Sequence, residues 1–257
     1  MRPSWSGSIG FGLVNIPVKM YVAAEESNLS FSQLHKDDHG KIRYKKVNEN
    51  TGKEVTQAEI VKGFEIGGKY VIVEDSDFQK VAPEKADHLE IQQFVNEKDI
   101  DPVYFESPYY LAPDKTGVKA YNLLREALKK ENKAALGPLV VRNKEWICLI
   151  KPLRNVLVLH RLRFSDEIRS EKDLVIPDTP LKAEEIKMAT ALIAQLTKPF
   201  KPEDYTDTYN EKLLKLIEAK AAGKAVPKAM KVVHSNTTVD LMSQLKASLK
   251  APTKKAS

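Results

Sequence analysis

Between Trp5 and Tyr21 apolar residues alternate with glycine or small polar ones, W-S-G-S-I-G-F-G-L-V-N-I-P-V-K-M-Y. In an extended chain Ile9, Phe11 and Leu13 share one side, and Val14, Ile16 and Val18 continue a second run past a break at Asn15. The pattern predicts a buried strand with a bend. Gly7, Gly10 and Gly12 weaken an isolated strand, so they suggest bulges, sharp coiling or close backbone approach, as in a small closed β-barrel. The first strand of another sheet would show the same alternation.

Farther on, Phe31 to Val47 reads as two extended segments around a turn at Asp37 to Gly40. In the second, Lys41, Arg43 and Lys45 share a face, with Ile42, Tyr44 and Lys46 on the other. Such a row suits repeated phosphate contact, and it equally suits a solvated hairpin edge protected by charge. Asn48 to Lys53 is a turn, Val55 to Gly63 an irregular or helix-like link, and Gly68 to Glu74 a strand. Asp75 or Ser76 caps a short helix up to Val81, with Phe78 on its inner side. Strands follow at Leu89 to Val95 and Val103 to Leu111, where Pro108 argues for an edge or a break.

Tyr121, Leu124 and Leu128 recur at helical spacing within Ala120 to Asn132, and Gly137-Pro138 resets the chain. Leu139 to Arg142 and Trp146 to Ile150 predict a hairpin around Asn143-Lys144, with a further strand at Val156 to Arg161. Arg142, Lys144, Arg154, Arg161 and Arg163 punctuate these strands, as phosphate contacts or as ordinary solvated ends and partners for acids. After Pro177 and Pro180 the period turns helical. Leu181 to Thr197 carries Ile186, Ala189, Leu192, Ile193 and Leu196 on one stripe, and Asn210 to Ala222 carries Leu213, Leu214, Leu216 and Ile217, with a break at Pro199 to Pro202.

From Gly223 onward the chain is polar and lysine-rich apart from one apolar element. Val239, Met242 and Leu245, with Leu241 and Leu249, make a helical face that Thr237 or Thr238 could cap, either a docking peptide or a terminal helix packed on the body. The net charge of +6 is unevenly placed: from Lys220 there are eight lysines against the single acid Asp240, so this tail carries +7 and the body −1. Any polyanion held by the body must therefore meet cations segregated onto one surface.

With 257 residues, 42% of them hydrophobic, the chain can bury a sizeable core as one large domain or two small ones. It lacks an apolar run long enough to span a bilayer and a secretory signal, so the expectation is a cytoplasmic protein with no membrane partner. The lone Cys148 lies in an apolar run and reads as a buried structural thiol. His35 and His39 flank two aspartates but no second ligand cluster follows, and no metal or cofactor is expected. The sequence has no phosphate-cradling glycine loop, nucleophile elbow or zinc-type cysteine pair, so an enzyme is not expected. A magnesium-dependent nuclease built on Asp37, Asp38, Asp75 and Asp77 is the alternative enzyme class, and a protein-interaction scaffold binding DNA only through its basic tail is a third reading.

Five segments, in this order and spacing, resemble bacterial Ku, the DNA-end-binding protein of non-homologous end joining: the opening stretch from Trp5 to Tyr21, then K-I-R-Y-K-K-V, I-V-K-G-F-E, K-Y-V-I-V and Y-F-E-S-P-Y-Y-L-A-P-D. The likeness covers about the first two-thirds of the chain. It implies a mixed α/β protein with a β-barrel core over 1–180, an inserted arm at about 30–60, a helical region over 181–222 packing on its own or a partner subunit, and a flexible basic tail over 223–257. It also implies a ring-forming homodimer, nucleoid-associated, threaded by double-stranded DNA ends without base readout. Lys41, Arg43, Lys45 and Lys46 on the arm become phosphate contacts, with Arg142, Lys144, Arg154, Arg161 and Arg163 as further candidates. The D-L-M-x-x-L element resembles the tail of that family, which makes Val239, Leu241, Met242, Leu245 and Leu249 a docking face for the end-joining DNA ligase; Lys246, Lys250, Lys254 and Lys255 add non-specific DNA contact.

Overall fold

The computed structural model describes residues 1–26, 28–81, 87–142, 144–224 and 241–250. Gly12 (φ 59°) and Leu13 reverse the chain, so the stretch expected as one bent strand is a hairpin, β1 (Trp5–Phe11) and β2 (Val14–Val22), in register from Trp5 opposite Met20 to Phe11 opposite Val14. The backbone of a two-residue turn needs positive φ, which glycine supplies without steric cost. The chain then leaves for an excursion over 23–87. It contains the hairpin β3 (Lys62–Ile66) and β4 (Lys69–Val73) and the short helix α1 (Asp75–Lys80), whose cap is Glu74 rather than Asp75 or Ser76. The Asp77 carboxylate accepts from the Glu74 amide at 3.0 Å, an arrangement that satisfies an otherwise orphaned donor at the helix start.

The chain returns as β5 (His88–Glu90) and β6 (Gln93–Val95), continues through β7 (Phe105–Pro113) and α2 (Val118–Glu131), and completes the sheet with β8 (Ala134–Val141), β9 (Lys144–Leu153) and β10 (Val156–Leu162). The described strands form an eight-stranded sheet in the order β5-β1-β2-β7-β10-β9-β8-β6. Its two edges are successive pieces of one segment. The Ile91 amide donates to Gly10 O on β1 at 3.0 Å, and the Gln92 amide donates to Leu136 O on β8 at 2.9 Å, so a single bent strand draws both edges together. Gly137 permits this closure: a Cβ there would stand 2.1 Å from the carbonyl oxygen of Glu90.

Two prolines expected to interrupt strands lie inside them. Pro108 shares the interior of β7 because its carbonyl faces the end of β2, accepting from Ala23, and its missing N–H points to that same side, where β2 has finished. Gly137-Pro138 likewise continues β8, since pairing with β6 stops at Leu136 and the edge beyond needs no donor from Pro138.

Alternate positions fill the barrel: Ile9, Ile16, Val18, Met20, Leu111, Leu139, Cys148, Ile150, Leu157 and Leu159 are each at most 2% exposed. Burial pushes the Cys148 thiol up to about 12, consistent with an inert, structural residue. Helix α2 lies at the end where β7 finishes and β8 starts, adding Tyr121, Leu124 and Leu128 to the same core. The Tyr121 hydroxyl donates to Leu111 O at 2.6 Å and accepts from the Leu157 amide at 2.7 Å, fastening the helix to a facing pair of β7 and β10 residues. Tyr121→Phe leaves both backbone groups unsatisfied in an apolar interior. It is expected to lower stability by about 2–4 kcal/mol, read from denaturant midpoints with an unchanged slope.

The described residues fall into two compact units, one from 1–26, 31–81, 87–142 and 144–171, the other from 28–30, 172–224 and 241–250. The second holds α3 (Ala183–Leu196), α4 (Thr208–Ala221) and α5 (Leu241–Lys250). Asp207 caps α4 by accepting from the amides of Tyr209 and Asn210. Neither α3 nor α4 has a fully buried residue. On α3 the half-buried positions are Glu185, Met188, Ala189 and Leu192, whereas Ile186, Ile193 and Leu196 of the expected stripe are exposed.

Candidate nucleic-acid interface

Lys41 to Val47 does not form a regular strand. Its backbone is held by isolated bridges, Leu34 to Lys41 and Val47 to Glu54, together with the Ile42 amide on Gln33 O and the Val55 amide on Lys46 O, and the Tyr44 hydroxyl donates to Gln33 Oε1. Between them the chain is exposed, and a turn at Asn48 to Gly52 is fixed by Asn48 Oδ1 accepting from the amides of Asn50 and Thr51. The reason is compositional: Asn, Gly, Lys and Glu surround a few apolar residues that lack a second layer to pack on. The four arm cations then divide by partner. Lys45 Nζ lies 2.6 Å from Glu54 Oε2 and Lys46 Nζ donates to Gln57 Oε1 at 2.6 Å, whereas Lys41 and Arg43 have no acidic partner among the described residues.

The five barrel cations are not brought together. Arg142 (φ 51°) sits in the β8–β9 turn with Lys144 just after it, and Arg161 and Arg163 lie at the C-terminal end of β10, the same end of the barrel. Arg154 (φ 53°) occupies the β9–β10 turn at the other end, about 30 Å away along the ten residues of β9. Arg161 is paired with Glu106 at 3.1 Å and its guanidinium lies 5.1 Å from the Trp146 ring centroid. Arg163 donates to Val103 O at 3.0 Å and Phe105 O at 2.7 Å, pinning the start of β7. Arg142 and Lys144 are exposed and, among the described residues, have no acidic partner.

That end of the barrel also holds a feature the sequence reading missed. Tyr109 and Trp146 stack with centroids 5.6 Å apart at 29°, and with Met20, Val141 and Arg161 they line an open cavity of about 420 Å³. The signal lay in strand parity: Trp146 is two residues from Cys148 and Tyr109 two from Leu111, so both aromatics point inward one step above the sealed core.

The carboxylates that could have served a nuclease have local roles. Hydrogen bonds from the Gly40 amide and then His35 lower the Asp38 carboxyl below its ordinary value, and Lys80 and then the Glu74 amide lower that of Asp77; Asp75 pairs with Lys62 at 3.0 Å. Among the described residues no group of three or more His, Cys, Asp or Glu is placed to hold a metal ion, and no helix is long and apolar enough to cross a membrane.

On the C-terminal docking face, Val239 and the tail residues Lys254 and Lys255 lie outside the described residues. Leu241, Met242, Leu245, Lys246, Leu249 and Lys250 belong to α5, which packs against α3, with Met242, Leu245 and Leu249 half-buried.

Comparison with known proteins agrees with this architecture. A family model described as "Ku70/Ku80 beta-barrel domain" matches residues 10–190. The protein named non-homologous end joining protein Ku from Archaeoglobus fulgidus is 41% identical over 256 residues, covering 98% of this chain and 99% of that protein. Proteins of the same name from Coxiella burnetii and Bacillus subtilis are each 38% identical, covering 99% and 97% of this chain and 97% and 82% of their own lengths. A barrel with a long excursion between its second and third strands, matched over most of its length by the family and over nearly all of it by these relatives, places the chain in the Ku family.

Proposed function

We propose that this protein binds double-stranded DNA ends in non-homologous end joining as a homodimeric ring, without reading sequence and without ATP, protects them, and recruits the joining ligase. The observation that carries the reading is the excursion over 23–87. It leaves the barrel between two of its strands and holds Lys41 and Arg43 in the open with no acidic partner among the described residues, in a body whose net charge is only −1. Free cations on an exposed arm are suited to phosphate oxygens, which supply affinity without sequence information. Lys45 and Lys46 join them by exchanging their present partners, Arg142 and Lys144 extend the basic surface at one end of the barrel, and Arg154 makes a separate contact at the other. Arg161 and Arg163 contribute to that surface chiefly by holding strands in place.

Dimerisation is supported by apolar surface that the single chain leaves uncovered, on α3 and also on the β3–β4 hairpin, where Phe64 and Tyr70 are exposed. Ligase recruitment is assigned to α5, whose amphipathic face of Met242, Leu245 and Leu249 is half-buried in the helix that packs on α3 and would dock by leaving it. Affinity falls steeply with salt, whereas preference for ends is topological, because a covalently continuous circle offers a closed ring no entry.

The test is a gel shift at moderate salt with linear and closed circular duplex of one sequence, using the full chain and a version ending at Ala222. Strong preference for the linear form by both proteins is the expected result. Equal binding of line and circle, or binding lost with the tail, overturns the ring and leaves a scaffold that meets DNA through its basic tail.

A further inference from the structure

The barrel has two unlike ends. Helix α2 fills one with Tyr121, Leu124 and Leu128, all at most 3% exposed. The other is left open as the 420 Å³ cavity, within the range of about 300–1,000 Å³ common for small-molecule sites. Its floor is aromatic: Tyr109 and Trp146 remain partly exposed, although Leu111 and Cys148, one step deeper on the same strands, are essentially sealed. An aromatic pair whose only task was to close the barrel would be covered as the other end is.

The electrostatics of this mouth are graded. Arg161 lies over Trp146 but is neutralised by Glu106, so it holds the ring in place and adds little net charge. At the rim, Arg142 and Lys144 are exposed and without acidic partners among the described residues. The mouth thus offers an apolar, stacking interior and a cationic edge. An inorganic anion would use only the edge, and an apolar molecule only the interior. A nucleotide uses both, with its base against the aromatics and its phosphate at the rim. Bases inside a duplex have their faces covered by their neighbours, so the matching ligand is unpaired.

We propose that the open mouth of the barrel binds single-stranded DNA, the unpaired extension of a broken end. The inference rests on the reading of this chain as a DNA-end binder and adds a second, separate contact for the overhang. Because every base has a π-face, the site tolerates any sequence. It would distinguish ends that carry an extension from blunt ends, which a ring around the duplex alone does not.

Tryptophan emission of the full chain, titrated with oligodeoxyadenylate and separately with a blunt duplex, tests it without any destabilising change. Saturable quenching by the single strand, absent with the blunt duplex and lost in Trp146→Phe, is the expected result. In Tyr109→Leu, affinity for a duplex with an oligothymidylate extension should fall about tenfold while affinity for the blunt duplex is unchanged. No quenching by the single strand, quenching that persists in Trp146→Phe, or equal binding of extended and blunt duplexes by the unaltered protein overturns the site. The two readings fail separately: blunt ends bound without quenching removes the mouth alone, and quenching without blunt-end binding removes the end-binding reading and leaves a single-strand site.

Discussion

Placing glutamate at both Ile193 and Leu196 is expected to turn the proposed homodimer into a monomer and to abolish tight binding of linear duplex. These residues are 66% and 55% exposed, and with Ile186, 51% exposed, they form one stripe of α3. A different stripe, Met188, Ala189 and Leu192, is half-buried on the helix that α5 packs against. A helix that is apolar on two sides needs two neighbours, and among the described residues α5 is the helix seen to pack against it. The second neighbour is assigned to the partner subunit. Two central apolar side chains at such an interface contribute about 2 kcal/mol or more each, so the double change should raise the dimer dissociation constant by about 10³-fold. Sedimentation equilibrium reads the mass, and circular dichroism should be unchanged because neither side chain is buried within the single chain. A protein that stays dimeric and still grips linear duplex tightly would show that this stripe is an ordinary solvated face.

The barrel was largely legible because strand alternation reports burial directly. Ile9, Ile16 and Val18 are core residues as their alternation indicates, Cys148 is a sealed thiol, and Tyr121, Leu124 and Leu128 form the buried stripe of α2. The errors fell where a local signal had a tertiary cause. Gly12 marks a reversal, whereas Gly137 marks the approach of Glu90 from a segment nearly fifty residues earlier, and no window of sequence distinguishes the two. Pro108 and Pro138 suggested breaks yet lie inside strands, because a missing N–H costs nothing when it faces the end of a neighbouring ladder, and which side it faces depends on pairing.

Side-chain chemistry at the candidate interface was less legible than position. Nine cations were picked out by type and spacing, yet the structure separates Arg154 from the others on the barrel, pairs Arg161 with Glu106, and turns Arg163 onto backbone carbonyls. Charge in a sequence does not reveal partners brought from sixty residues away. The Tyr109–Trp146 stack was hidden for a related reason: the residues sit on β7 and β9, which are not neighbours, and meet across β10. In the arm, the alternation of Lys41, Arg43 and Lys45 suggested a strand where only single bridges exist, because alternation without a packing partner carries no burial energy to enforce the pleat.

The division among the arm cations makes the two pairs unequal in their effect on binding. Lys41→Gln with Arg43→Gln should weaken binding of linear duplex far more than Lys45→Gln with Lys46→Gln. A free cation that meets a phosphate releases a condensed counterion, whereas Lys45 must first leave Glu54, and the freed carboxylate attracts a cation in return. The pair itself is no obstacle: its side chains are 72% and 57% exposed, and such pairs contribute at most about 1 kcal/mol. The difference lies in net ion release. For the first double change the slope of log affinity against log salt should become shallower by about 2 per arm, hence about 4 for a ring with two arms. At physiological salt this amounts to a loss of about 10²–10³-fold, equal for duplexes of different sequence because phosphates alone are involved. For the second double change the slope should move by less than half as much. Fluorescence anisotropy of a labelled blunt duplex across a salt series measures both slopes. Equal shifts from the two double changes would mean that the Lys45–Glu54 pair survives in neither protein state that matters, and an unchanged slope for Lys41→Gln with Arg43→Gln would remove the arm from the DNA interface.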